Sequence, residues 1–140
     1  MPLTRVYLPL TPADLDALAG EGLVAVPLRA HAVTPAVGSP GLTTDVEELE
    51  HLAWVAATEE AGATAAPGTR RVVAAADVEA EAVGHPTAAD LPSRVEVTEP
   101  LRRRQVVSFH VDEEPGATGT ADLLWYDVTE LDEVRALATS

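Results

Sequence analysis

The chain has no cysteine, lysine, asparagine or isoleucine. Without cysteine there is no disulfide, no thiolate nucleophile and no Cys-ligated zinc. The other three residues share AT-rich codons, and all nine basic residues are arginine. The gaps therefore point to a very GC-rich genome. They do not point to arginine chemistry, and the usual step from arginine-over-lysine to phosphate recognition has no force here. No apolar run approaches the roughly 18 residues of a membrane span. The start, MPLTRVYLPL, lacks a basic segment followed by a signal-length apolar core, so the expected location is a bacterial cytoplasm. Positive charge is scarce: 9 arginines face 23 acids, for a net charge of -14. Nucleic acid and anionic membranes would be repelled, so neither is expected as a partner.

The 140 residues that remain are 46% hydrophobic, enough to fold around a core despite the charge. They read as one domain, residues 1–140. TRVYLPL alternates as a first strand, and TPADLDALAGEG opens a helix with Thr11 as cap and Pro12 at the first position. Gly20 and Gly22 stop it. Leu28–Thr34 reads as a strand ended by Pro35. Thr44 and Glu47 have capping-box spacing for a helix from about Asp45 to Ala61, ended by Gly62. RRVVAAADV (Arg70–Val78) is a near-continuous apolar run, as in a central strand. SRVEVTE and RQVVSFHVDE alternate. In the second of these, Val107, Phe109 and Val111 share one face, and Val106, Ser108 and His110 the other. ADLLWYDV (Ala121–Val128) is a last strand, paired with its predecessor as an antiparallel hairpin. TELDEVRAL is a short helix capped by Thr129. The predicted fold is α+β in two layers: a mixed, mostly antiparallel sheet with helices on one face, comprising two main helices and a short C-terminal one. The helix-length connections near the start leave room for parallel pairing there.

Three segments in order, RVYLPL, HAVTPAV and LLWY, with RRVVAAADV and FHVDEE between them, carry a resemblance over most of the chain. It resembles a family of uncharacterised actinobacterial proteins of unknown function. The resemblance implies no activity and supplies no catalytic residues.

Familiar chemistry is absent from the residues. His31, His51, His85 and His110 include no pair at metal-ligand spacing, so no metal is expected. Glu48 and His51 match half of a di-iron motif whose other half is missing. GSPG lacks the spacing and lysine of a phosphate loop, and there is no G-x-S-x-G elbow. No cofactor is expected. In RAHAVTPAVG, Arg29, His31 and Val33 share one side of a strand, and Ala30, Ala32 and Thr34 the other. One reading packs a helix on the alanines and leaves His31 on the wetter face. A sharper one gathers Arg5, Tyr7, His31, His110 and Tyr126 into a polar ligand site on one sheet face, where His and Tyr can do acid–base work. Arg102–Arg104 read as a solvated strand start that offsets nearby acids, the alternative being an anion clamp.

On a helical wheel Trp54 falls about 130° from the Val46–Leu49–Ala53–Ala56 face, at 100° per residue, and Val55 also lies off it. A tryptophan off the core stripe is either covered by a loop or part of an interface, where tryptophan is enriched, so Trp54 and Val55 are interface candidates. Two functional readings follow. The first is a non-enzymatic protein acting through association, either with an unidentified protein or as a homo-oligomer. The second is a small-molecule-binding protein or enzyme with its site around His31, Tyr7 and His110. A concave pocket would favour the second, and a flat polar face with a Trp-centred contact the first.

Overall fold

A computed structural model describes residues 3–25, 28–34, 45–65, 68–84, 93–118 and 123–139. The strands are β1 (Leu3–Leu10), β2 (Leu23–Val24), β3 (Leu28–His31), β4 (Val72–Glu79), β5 (Val83–Gly84), β6 (Arg94–Val97), β7 (Leu101–Arg102), β8 (Val106–Asp112) and β9 (Leu123–Asp127). The helices are α1 (Pro12–Gly20), α2 (Val46–Thr64) and α3 (Leu131–Ala138). Seven strands form one sheet in the order β5-β6-β3-β1-β4-β8-β9, and β2 pairs with β7 apart from it. Among the described residues no helix is long and apolar enough to cross a membrane.

The α+β class is as expected, and every described ladder is antiparallel. The parallel pairing that the helix-length connections left room for does not occur among the described ladders, for a topological reason. β3 and β4 are both antiparallel to β1 and so run in the same direction, as strands joined by a helix should. But β1 lies between them. Helix α2 therefore crosses over β1, and β1 pairs with β4 along its whole length, from Leu3 opposite Glu79 to Leu10 opposite Val72.

This crossing also corrects the two-layer expectation. Val6, Leu8 and Leu10 of β1 point to one face, where they join Leu15 and Leu18 of α1, Leu131 and Val134 of α3, and Phe109 of β8. Tyr7 points to the other face, under Ala53, Ala57 and Ala61 of α2. The sheet is covered on both sides, and the fold has three layers. β4 already carried the signal: Val72, Ala74 and Ala76 pack on the first face, Val73 and Ala75 on the second. A strand apolar on both sides needs cover on both sides.

Local chemistry explains the element ends. Thr11 Oγ1 accepts from the Asp14 N–H at 3.2 Å, and Asp14 Oδ2 accepts from the Thr11 N–H at 2.9 Å, so α1 starts as expected. Gly22, at φ +77°, turns the chain after it. Helix α2 is capped by Asp45, whose Oδ1 accepts from the Glu47 N–H at 2.9 Å. Thr44, the expected cap, lies outside the described residues, as do Pro35 and His85. Gly62 does not end α2. It lies inside the helix where a Cβ would stand 3.3 Å from Arg71 Cδ, so its absence lets helix and strand meet. Asp127, not Thr129, caps the C-terminal helical segment, accepting from the Thr129 N–H at 3.0 Å and its hydroxyl at 2.6 Å.

Among the described ladders the register shifts once. Ala75 faces Ser108, but Ala76 faces Val106, so Val107 is an extra residue in β8. This bulge turns Val106 to the side of Phe109 and Val111 and leaves Val107 exposed, with Ser108 and His110 facing the α2 side.

Candidate functional site

A helix is about 10 Å across and strands are about 4.8 Å apart, so one helix roofs only two or three strands. Helix α2 packs over β3, β1 and β4. On the β8–β9 side the sheet floor extends past it, and the step between helix flank and floor is an open cleft of about 610 Å³. That size is ordinary for a small-molecule site. The floor is low at its centre, where Ala75 and Ser108 are small, and Val107 and His110 complete it. Glu47, Glu50, His51 and Trp54 form the helical wall, Trp125 of β9 stands opposite, and Arg5 and Tyr7 close the β1 side.

The aromatic groups are braced. His51 stacks on Trp54 with ring centres 5.7 Å apart and planes at 23°. His110 meets the same indole edge-on at 6.0 Å and 71°. Trp54 thus has a ring on two sides, which fixes its orientation. The indole Nε1 of Trp54 is buried without a hydrogen-bond partner. His110 Nε2 and Ser108 Oγ are 3.2 Å apart, and burial lowers the His110 pKa, so this imidazole is neutral at neutral pH.

Charge is distributed unevenly around the rim. Arg5 is engaged by Asp77 through two contacts, Nε to Oδ1 at 2.6 Å and Nη2 to Oδ2 at 3.2 Å. Tyr7 donates to Glu50 Oε2 at a long 3.4 Å. Its hydroxyl pKa is pushed up to about 12, first by burial and then by the Glu50 charge, with Arg5 opposing. The phenol therefore stays protonated across the neutral range.

Of the residues expected to share a site, Arg5, Tyr7 and His110 line this cleft. His31 does not. It faces the same side as Tyr7, its partner across the β1–β3 ladder, but α2 seals it and it is 0% exposed. Its Nε2 lies 2.9 Å from Glu60 Oε1 and its Nδ1 2.8 Å from Ser93 Oγ. Arg94 Nη2 reaches the same Glu60 oxygen at 3.3 Å. Burial lowers the His31 pKa, against the pull of Glu60. The wetter face expected for His31 is thus the floor beneath a helix. Tyr126 lies on the opposite side of the sheet, against the aliphatic core. It is offset by one residue from Trp125, which the ladder sets opposite His110. Counting that hairpin register would have exchanged Tyr126 for Trp125.

Trp54 is turned toward the sheet side, not away from it. The sheet-facing residues are Ala53, Ala57 and Ala61, which shifts the buried stripe by about 60° from the expected one at 100° per residue. Val46 and Leu52 are left exposed as a result, and Val55 is half-buried. Glu47, Glu50, His51, Val107, Ser108 and Trp125 were not foreseen as neighbours of Tyr7. Their convergence depends on the bulge and the helix crossing. Among the described residues no three histidine or acidic side chains cluster as metal ligands would.

The fold and cleft define a three-layer α+β protein with an aromatic-walled recess beside a crossing helix. The chain belongs to a family of unknown function, DUF6912, whose model matches residues 4–121. No curated protein and no solved structure matches it.

Proposed function

We propose that this protein binds a small molecule in the cleft between α2 and β9. One observation carries the reading: both tryptophans of the chain, Trp54 and Trp125, line a single recess with Tyr7 and His110. Large aromatic surface around a small-residue floor is what a ring-bearing ligand requires, and the braced Trp54 lowers the ordering cost of binding. Binding is favoured over catalysis. Ser108 and His110 make a hydroxyl–imidazole contact, but among the described residues no carboxylate holds the other ring nitrogen, and Ser108 sits mid-strand.

The test uses the tryptophans themselves. Because both lie in the cleft, intrinsic fluorescence reports on it alone. A panel of non-indole ring compounds is expected to include members that shift or quench the emission saturably and raise the melting temperature. Saturable binding that persists unchanged in Trp54→Ala and Trp125→Ala variants would place the ligand elsewhere and end the proposal.

A second reading, association with another protein or a second copy, is favoured by the exposure of Leu124 (44%) and Trp125 (61%) on β9. Sedimentation across a concentration series separates the two. A single monomeric species that binds ring compounds supports the first reading, and a mass that rises with concentration supports the second.

A further inference from the structure

We propose that the ligand of this cleft is an organic cation, a ring-bearing primary amine whose ammonium group sits at Glu47 and Glu50 while its ring lies between Trp54 and Trp125. The proposal rests on the small-molecule reading above and adds the chemical class.

Charge accounting around the recess leads there. The cleft holds one arginine, Arg5, which Asp77 already neutralises through two contacts, and two histidines, His51 and His110. His110 adds no positive charge at neutral pH, because burial keeps its imidazole neutral. Glu47 and Glu50 face the cleft from successive turns of α2, and neither has a cation within ion-pair distance among the described residues. Among the described residues Glu50 holds only the long contact from Tyr7, which leaves acceptor capacity for an ammonium group. The Glu50 charge raises the Tyr7 hydroxyl pKa more than Arg5 lowers it.

The aromatic walls favour the same charge. An ammonium group near an indole face is attracted by the ring quadrupole, and tryptophan binds cations best among the aromatic side chains. Trp125 offers its indole largely exposed at the rim. An anion would meet two carboxylates and the negative face of the exposed Trp125 indole. The net charge of -14 extends the preference to long range, drawing cations in and slowing anions.

Three probes on one phenylethyl frame decide it: 2-phenylethylamine, 2-phenylethanol and 3-phenylpropanoate, followed by tryptophan fluorescence at low and high salt. The amine is expected to bind about tenfold tighter than the alcohol, from the combined ion-pair and cation–π contributions. The carboxylate should bind weakest. Salt should weaken the amine and leave the alcohol nearly unchanged. Glu47→Gln, on the exposed first turn, and Glu50→Gln, which keeps an acceptor for Tyr7, should each narrow the amine-to-alcohol ratio. Equal binding of amine and alcohol, or tighter binding of the carboxylate, would overturn the cation assignment while leaving the cleft reading intact. Failure of all three probes to perturb the emission would overturn it as well. The cleft reading is judged separately, by the wider panel and the Trp→Ala variants.

Discussion

On the face covered by α1 and α3, the layer between helix and sheet is hydrocarbon. Leu15, Leu18, Leu131 and Val134 meet Val6, Leu8, Val72, Phe109 and Val111, all buried. On the face crossed by α2, the apolar contacts are mostly alanine: Ala53, Ala57 and Ala61 over Ala75, with Val73 and Tyr7. Around them stand polar groups held in pairs, His31 with Glu60, Arg71 with Asp112, and Ser108 with His110. Long aliphatic side chains supply most transfer free energy per residue, so the first face carries the stability. The second face can then hold polar side chains and an open recess without exposing the main core.

Four measurements break or sharpen this contrast. The largest effect is expected from Phe109→Ala, at the centre of the aliphatic face. Truncating a fully buried phenylalanine costs about 4 kcal/mol through lost transfer energy and the cavity left behind. Urea unfolding gives the number, and a loss under 1 kcal/mol would mean the aliphatic face is not the main support.

Next comes the ion pair at the far end of α2. Asp112 takes Arg71 at both carboxylate oxygens, 2.8 Å each, and also accepts the Arg71 backbone N–H at 2.7 Å. Both side chains are buried. Asp112→Ala takes the carboxylate away from the buried guanidinium and should cost about 3 kcal/mol, and adding Arg71→Leu should recover much of it. If the double variant is no more stable than the single one, the pair contributes more than mutual neutralisation.

Thr11→Ala removes the cap of α1 and should cost about 1 kcal/mol in the same assay. The effect should fall on stability alone, since α1 lies on the side away from the cleft. A change in ligand affinity would contradict the separation of the two faces.

The most gradual effect is the pH dependence of the α2 face. Burial holds the His31 pKa below its usual 6.5. As pH falls through that value the unfolded chain takes up a proton that the folded chain resists. Stability from the neutral, buried form is whole above the unfolded value and is lost as pH falls toward the folded one. The stability difference between wild type and His31→Gln should therefore shrink on acidification. A difference that grows would show that protonation strengthens the Glu60 contact more than burial opposes it.

The elements themselves were legible because their signals are local. Thr11-Pro12 starts a helix through one side chain and one fixed dihedral, and β6 shows its alternation in Val95 and Val97. What escaped was set by distance along the chain. The insertion of β1 between β3 and β4 leaves no local mark, yet it decides that α2 passes over Tyr7 and that the sheet has two covered faces. The apolar stripe of α2 misled because Ala53, Ala57 and Ala61 are weak hydrophobic markers beside Val46 and Leu49. Arg5, Tyr7 and His110 were placed together because strand parity is readable. Strand parity alone misses Trp125 by one position, and it does not show what covers His31, because Glu60 comes 29 residues later.

The central place of β1 also bears on how the chain is made. Its main partner, β4, is synthesised only after α2, and at about 5–20 residues per second the wait is on the order of several seconds. During that time β1 has no ladder along most of its length, and Val6, Leu8 and Leu10 have no Val72, Ala74 or Ala76 to pack against. The N-terminal third therefore cannot fold as it emerges. A fragment ending before Val72 should remain unfolded, and the aliphatic face closes only when Phe109, Leu131 and Val134 have followed β4.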